Sequence, residues 1–432
     1  MNYPKNVKRF DFTKKPIKPT FLMGVAKGII SKPDLKKRGA KIVKTDMEEL
    51  EGRPYLLLVT HSSMVDFNLM LMATHPYPVN NVMTLEGFNT YTAPLMRSLG
   101  VLGKRKFVSD PILVKQIRYC LNELKTIFVL FPEARYSLDG CGSYVSPSTA
   151  ALAASLKVPV AVLKIKGNFI TCPQWNKMNK KTYVEAELCP ILKPSEIGSV
   201  RAAEIHERIK EAFTYNDFEF QKEKGIVIDH PQRAEGLHCL LYKCPHCMTE
   251  NETYSEGSVI ECRHCGKKWE MTELGEIRAL DGETEFESIP KWSDWERACV
   301  RKEIEDGTYS FVDENVRLET LPGWTKFYKQ GNAKLVQNCE GTFIYGTVYG
   351  EPFELHKKPL QLESMHIEYD YLGRGDAVDI SVPDDSYWCY LSKRDAITKI
   401  SFATEELHFI ALKERAKTRS IRKTTEAVDT NN

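Results

Sequence analysis

Three short runs are apolar almost without a break: Tyr55-Leu56-Leu57-Leu58-Val59, Thr126-Ile127-Phe128-Val129-Leu130-Phe131 and Val158-Pro159-Val160-Ala161-Val162-Leu163. A strand with one wet face alternates apolar and polar residues. A strand apolar throughout is buried on both faces, the condition of parallel sheets covered by helices. Helical patterns lie between and after these runs, at Pro111–Leu124, Thr149–Leu156 and Val200–Phe213. Strands alternating with helices predict an α/β domain over residues 46–225, with a mixed, largely parallel sheet flanked by helices.

The chain has 432 residues, too many for one ordinary core at roughly 100–200 residues per domain. Residues 1–45 carry thirteen Lys/Arg against two acidic residues, Asp11 and Asp34. That surplus of +11 leaves −9 for the remainder of a chain whose net charge is +2. Such a basic arm suits an anionic membrane surface, and Phe21–Ile30 within it suits a short interfacial helix. Beyond 225 a connector (226–240) leads to a Cys-rich module (241–275) and an acidic linker (276–292). A β-rich domain is expected over 293–416, with helices at Ser293–Glu305 and Thr404–Arg415. Its strands are expected at Lys334–Val336, Thr342–Val348, Ser364–Tyr371, Asp376–Val382 and Tyr387–Tyr390. Strands followed by a helix predict a small antiparallel sheet or open barrel, resembling the pleckstrin-homology order only in outline. A polar, disordered tail is expected over 417–432.

A hydrophobic fraction of 42% and a charged fraction of 27% exclude collagen-like and wholly disordered classes. The start of the chain lacks a secretory apolar region. No run approaches the roughly 18 apolar residues of a spanning helix. The expectation is a cytoplasmic protein resting at most peripherally on a membrane.

Cys244-Pro245-His246-Cys247 and Cys262-Arg263-His264-Cys265 form two C-x2-C knuckles. Two such knuckles bring four thiolates to one tetrahedral metal ion, as in zinc ribbons. Zinc is expected, and iron in a rubredoxin-like site shares the spacing. Four thiolates leave no open position, so the role predicted is structural. His246 and His264 are expected to be bystanders.

His61 follows the first apolar run, and Asp66 lies five residues on, where the next helix would begin. The carboxyl ends of parallel strands are where α/β sheets place their sites. A carboxylate folded back on the imidazole would fix its tautomer and leave the other nitrogen as a general base. Further along come Gly100-Val101-Leu102-Gly103-Lys104-Arg105-Lys106, Phe131-Pro132-Glu133-Ala134-Arg135-Tyr136-Ser137 and Val158-Pro159-Val160. Cations beside glycines suit a phosphate, which needs charge and close backbone approach.

This ordered set resembles the four blocks of the lysophosphatidate (1-acylglycerol-3-phosphate) acyltransferase family: H-x4-D, a Gly-led block ending in Arg, F-P-E-G-T-R, and V-P. The resemblance covers about residues 50–215. The third block departs from the family, with Ala134 in place of Gly and Arg135 one residue early. The second is rich in Lys and Arg where the family is apolar, and Lys106 stands in the family's Arg register.

The resemblance implies that His61 deprotonates an acceptor hydroxyl while Asp66 orients it. The donor would be a thioester, acyl-coenzyme A or acyl-carrier protein. Glu133, Arg135, Gly100, Lys104, Arg105 and Lys106, with Pro159 of the fourth block, would form the substrate-binding side. They would receive a lysophospholipid or glycerol phosphate. No nucleic-acid partner is expected. The alternative is a catalytically weak or inactive lipid-binding adaptor whose zinc ribbon contacts protein or nucleic acid.

Overall fold

The computed structural model describes all residues except 1, 2, 4–6, 20–26, 89–91, 177, 179, 181, 394, 395 and 430–432. The expected interfacial helix at Phe21–Ile30 therefore falls largely outside the described residues.

A seven-stranded mixed sheet organises the first half: β1 (Lys41–Lys44), β2 (Leu56–Val59), β3 (Val79–Thr84), β4 (Val101–Lys104), β5 (Ile127–Leu130), β6 (Val160–Lys166) and β7 (Glu185–Leu192), in the order β1-β7-β6-β2-β5-β3-β4. β6, β2, β5, β3 and β4 run parallel, and β7 is antiparallel to β6. The three apolar runs are the central trio β6-β2-β5. Their side chains alternate between two buried clusters. Leu57, Val59, Val129, Ala161 and Leu163 pack with Leu69 and Met70 of the Val65–Ala73 helix. Leu56, Leu58, Phe128, Val160 and Val162 pack with Leu113 and Ile117 of the Pro111–Asn122 helix and Ile205 and Ile209 of the Ala202–Ala212 helix. The whole of β2 is inaccessible to solvent, which explains why its sequence does not alternate.

Local signals fix the helices. Asp110 accepts a hydrogen bond from the Leu113 amide at 2.9 Å, with Pro111 starting that helix. Leu113, Ile117, Cys120 and Leu121 supply its buried stripe. Both features belong to a capped amphipathic helix.

The basic arm is not a free tether. Lys41–Lys44, expected to lie in it, form edge strand β1, paired in parallel with β7. Phe10 is buried against Leu85, Phe88 and Val101. The exposed lysines of this segment, among them Lys8, Lys14, Lys15, Lys18, Lys36 and Lys37, are therefore displayed on a folded surface.

The Cys-rich module is a four-stranded antiparallel sheet of β8 (Thr253–Glu256), β9 (Val259–Cys262), β10 (Lys268–Met271) and β11 (Ile277–Ala279). β11 lies inside the expected acidic linker. The C-terminal region is a seven-stranded antiparallel sheet: β12 (Ser310–Thr320), β13 (Tyr328–Asn338), β14 (Gly341–Val348), β15 (Glu351–Lys357), β16 (His366–Glu368), β17 (Ala377–Ser381) and β18 (Ser386–Tyr390), in the order β15-β14-β13-β12-β18-β17-β16. Helix Ile289–Glu305 precedes it, opened by Pro290 with Ser288 accepting from Lys291 N at 3.4 Å. Helix Ile397–Asp429 closes it and runs on through the tail expected to be disordered. The Cys-rich module and the C-terminal sheet share one core, in which Tyr242, Trp269 and Trp292 join Leu335, Ile344 and Phe402.

Candidate active site and metal centre

β2 ends at Val59, the chain turns, and His61 emerges at the carboxyl edge of the sheet. Asp66 sits in the first turn of the Val65–Ala73 helix and is fully buried. Its Oδ2 lies 3.1 Å from His61 Nδ1 and also accepts the backbone amides of Ser62 (2.7 Å) and Ser63 (3.0 Å). Its Oδ1 accepts from Asn168 Nδ2. A ring nitrogen at hydrogen-bond distance from a carboxylate oxygen carries the proton, so Nδ1 is the donor and Nε2 keeps its lone pair. The ring lies between the rings of Phe131 and Tyr136, with centroids 4.3 and 4.2 Å away. The imidazole is 22% exposed.

No family model and no curated protein matches the chain. Among solved structures, it is similar to the 1-acyl-sn-glycerophosphate (LPA) acyltransferase PlsC from Thermotoga maritima. The identity is 16% over 47% of this chain and 80% of that one, with a TM-score of 0.38.

Glu133 neither pairs with Arg135 nor points outward. Its Oε2 accepts the His61 amide at 2.8 Å and its Oε1 the Ser143 amide at 2.6 Å. Burial pushes its carboxyl up to about 7, against the pull of those two amides. With Ser137 N donating to His61 O at 2.9 Å, the third block holds the backbone of the first. Ala134, where the family carries Gly, has φ +56°. A side chain in that left-handed region costs about 1–2 kcal/mol, so the turn that places Glu133 is held under strain.

The remaining sequence-derived candidates are not brought to His61. Arg135 Nη2 binds Glu405 Oε1 at 2.8 Å, in the last helix. Arg105 donates to the carbonyls of Leu321 (2.9 Å) and Pro322 (3.0 Å) and to Ser386 Oγ (2.9 Å). Lys106 Nζ lies 3.3 Å from Glu86 Oε1. Burial lowers the pKa of Lys104. All three cations belong to the end of edge strand β4, three strands from β2, about 14 Å at ordinary strand spacing. Gly100 adopts φ +79°, and a Cβ there would stand 2.6 Å from Asn80 Nδ2; it answers a packing demand. Pro159 opens β6, and its carbonyl accepts the Leu56 amide at 3.0 Å. Since β6 and β2 are parallel, Pro159 lies at the sheet edge opposite His61. Of the phosphate-holding cluster expected from sequence, Arg105 and Arg135 thus make their contacts with the C-terminal region, while Lys106 pairs with Glu86.

Asn168, Tyr136 and Phe131 were not assigned roles from sequence. Asn168 carried a readable signal: it follows β6, parallel neighbour of β2, through Gly167 at φ +80°. A Cβ on Gly167 would stand 2.4 Å from Tyr183 O. Residues just past neighbouring parallel strands converge at one edge.

Arg135 belongs to a buried ionic network. Glu405 also receives Arg297 Nη1 (2.8 Å) and Ser364 Oγ (2.7 Å), and Glu406 receives Arg301 Nε (2.6 Å). Burial raises the Glu405 carboxyl, but Arg135 and Arg297 outweigh it and hold it at about 2. A depressed carboxyl contributes stability above its ordinary value of 4.5 and loses it as pH falls toward about 2. Glu405→Gln strands two buried guanidinium groups. It is expected to cost about 3–5 kcal/mol, read as a shift of the urea midpoint at pH 7, with the gap to the unaltered chain narrowing in acid.

The four cysteines converge. Sγ of Cys244 lies 3.8 Å from that of Cys265, and Sγ of Cys247 3.7 Å from that of Cys262. All four sulfurs lie within 4.8 Å of one another. A tetrahedron with metal–sulfur bonds of about 2.3 Å has edges of about 3.8 Å, so the donor set fits one ion. His246 and His264 face Glu285 and Thr249, both at 3.3 Å.

Proposed function

We propose that this chain is an acyltransferase, moving a fatty acyl group from acyl-coenzyme A or acyl-carrier protein to the hydroxyl of a lysophospholipid or glycerol phosphate. The observation that carries this reading is the His61–Asp66 pair, held by four donors on Asp66 at the carboxyl edge of the central strand. Asp66 fixes the Nδ1 proton, and Nε2 accepts the proton of the acceptor hydroxyl. The alkoxide oxygen attacks the thioester carbonyl, a C–O bond forms, the C–S bond breaks, and the imidazolium returns its proton to the departing thiolate. No covalent acyl-enzyme is required. Met64, 77% exposed, and Tyr136, whose hydroxyl lies 3.0 Å from Met64 Sδ, give the site an apolar lip suited to a lipid substrate.

Among the described residues no helix is long and apolar enough to cross a membrane. The reading therefore includes peripheral attachment through the exposed lysines of the first 45 residues, each near-surface cation contributing about 1 kcal/mol at an anionic leaflet. The competing reading, a lipid-binding adaptor, is favoured by the diversion of Arg105 and Arg135 from the site. The test is incubation of the purified chain with labelled acyl donors and lysophospholipids carried in anionic or neutral vesicles. Product that forms on anionic vesicles and falls as salt rises supports the enzyme and its attachment. Vesicle binding without product across the panel supports the adaptor.

A further inference from the structure

A second cluster of metal-ligating side chains lies apart from the cysteines, where the turn after β3 meets the C-terminal sheet. His366 and Asp379 face each other in the register of β16 and β17, and each is 3% exposed. Glu86, in the Leu85–Gly87 turn, brings its carboxylate to the same point. One ligand atom from each of the three lies within 4.8 Å of the others.

The hydrogen bonding around this point is incomplete in a specific way. His366 Nε2 lies 3.1 Å from Glu368 Oε1, so Nε2 carries the proton. Nδ1 then holds a lone pair when the ring is neutral, and a second proton when the ring is the imidazolium, which burial opposes and Asp379 and Glu368 favour. Nδ1 faces Asp379 Oδ2 at 3.7 Å, too long for a hydrogen bond. Nδ1 of His366 and Oδ1 of Asp379 are buried with no hydrogen-bond partner among the described residues. Lone pairs turned toward one another in a buried site repel unless a cation lies between them. A histidine whose far nitrogen is fixed by a carboxylate is also the usual outer arrangement of a metal-bound imidazole.

Charge supports a dication. Glu86, Asp379 and Glu368 bring three negative charges, and Lys106, 3.3 Å from Glu86 Oε1, returns one. The guanidinium of nearby Arg105 acts most on Asp385 and also on Asp379 and Glu86, so it returns part of a second charge. We propose that Glu86, His366 and Asp379 bind a first-row divalent cation of the zinc, manganese or iron(II) class, clipping the α/β sheet to the C-terminal sheet. One imidazole nitrogen with two carboxylates suits those ions better than calcium or magnesium, which prefer oxygen alone. The site is independent of the acyl-transfer reading.

The test uses the full-length chain, dialysed against Zn2+, freed of loose metal by gel filtration and measured by elemental analysis. Protection of cysteines from alkylation reports the four-thiolate site separately. About two zinc ions per chain are expected, falling to about one in Asp379→Asn and in Glu86→Gln with the cysteines still protected. Glu86 lies in a turn, so the second variant keeps the test open if the first fails to fold. A single zinc with protected cysteines in the unaltered chain overturns the proposal. So does a folded variant that retains both ions. Either result leaves an imidazolium at His366 closing the cluster.

Discussion

His61→Ala is expected to lower acyl-transfer turnover by about 10²–10⁴-fold, the usual worth of a positioned general base, while leaving the fold intact. His61 is partly exposed, and among the described residues its side chain makes one hydrogen bond, to Asp66. Removing it deletes no part of the buried core. Asp66→Asn is a harsher change. Asp66 accepts from two backbone amides and Asn168 as well as from His61; the amide keeps one acceptor oxygen, and the NH2 in place of the other cannot accept the bonds that oxygen held. That variant should lose both activity and stability, so it cannot separate the two. The clean measurement is turnover of His61→Ala beside its circular dichroism and melting temperature. A folded His61→Ala with unaltered turnover would remove imidazole from the chemistry and leave the adaptor reading in its place.

How far the sequence could be read depended on whether the informative residues were neighbours along the chain. β2 and β5 were legible because burial on both faces leaves no polar residue in them, and β6 because it is apolar as far as Leu163. His61 and Asp66 were legible because one turn joins a strand end to a helix start. β1 and β7 were missed. Lys41–Lys44 is a largely exposed edge strand with lysine at each end, and Glu185–Leu192 alternates charged and apolar residues only as far as Leu188, ahead of Pro190. β12 was missed for a related reason. Its apolar positions Phe311, Val316 and Leu318 fall out of step because the register shifts between Asp313 and Val316. For Arg105 and Arg135 the sequence offered only their local setting. Their partners, Leu321, Ser386 and Glu405, lie more than 200 positions away along the chain. No local pattern announces that the C-terminal sheet and last helix fold onto this face of the α/β layer. The same contact closes the Glu86–His366–Asp379 cluster, in which Glu86 lies far along the chain from the other two.

Metal removal is expected to have the largest effect on stability. Structural zinc held by four cysteines contributes an apparent binding free energy of about 10–16 kcal/mol near neutral pH. A typical domain has only about 5–15 kcal/mol in total. Without the ion, Cys244 and Cys262 remain fully buried, and their deprotonated forms would be unpaired charges in that interior. The module is four strands of three or four residues each, too little structure to hold itself. The loss should spread, because Trp292 of the Ile289–Glu305 helix donates to Lys243 O at 2.9 Å and Lys243 N donates to Glu296 at 2.7 Å. Those bonds tie the knuckle beginning at Cys244 to the helix that opens the C-terminal sheet. A strong chelator, or Cys262→Ser, should therefore lower the melting temperature of the C-terminal half as well as releasing the metal. The α/β core around β2, a separate hydrophobic cluster, should respond less, so that chelation splits the melt into two transitions. Metal should also leave as pH falls, since protons compete for the thiolates. Visible colour in the purified protein would identify iron, and its absence with about one thiolate-bound ion per chain would identify zinc. A chain that carries no metal, or that melts identically with and without chelator, would mean that the four sulfurs are held together by the strands alone.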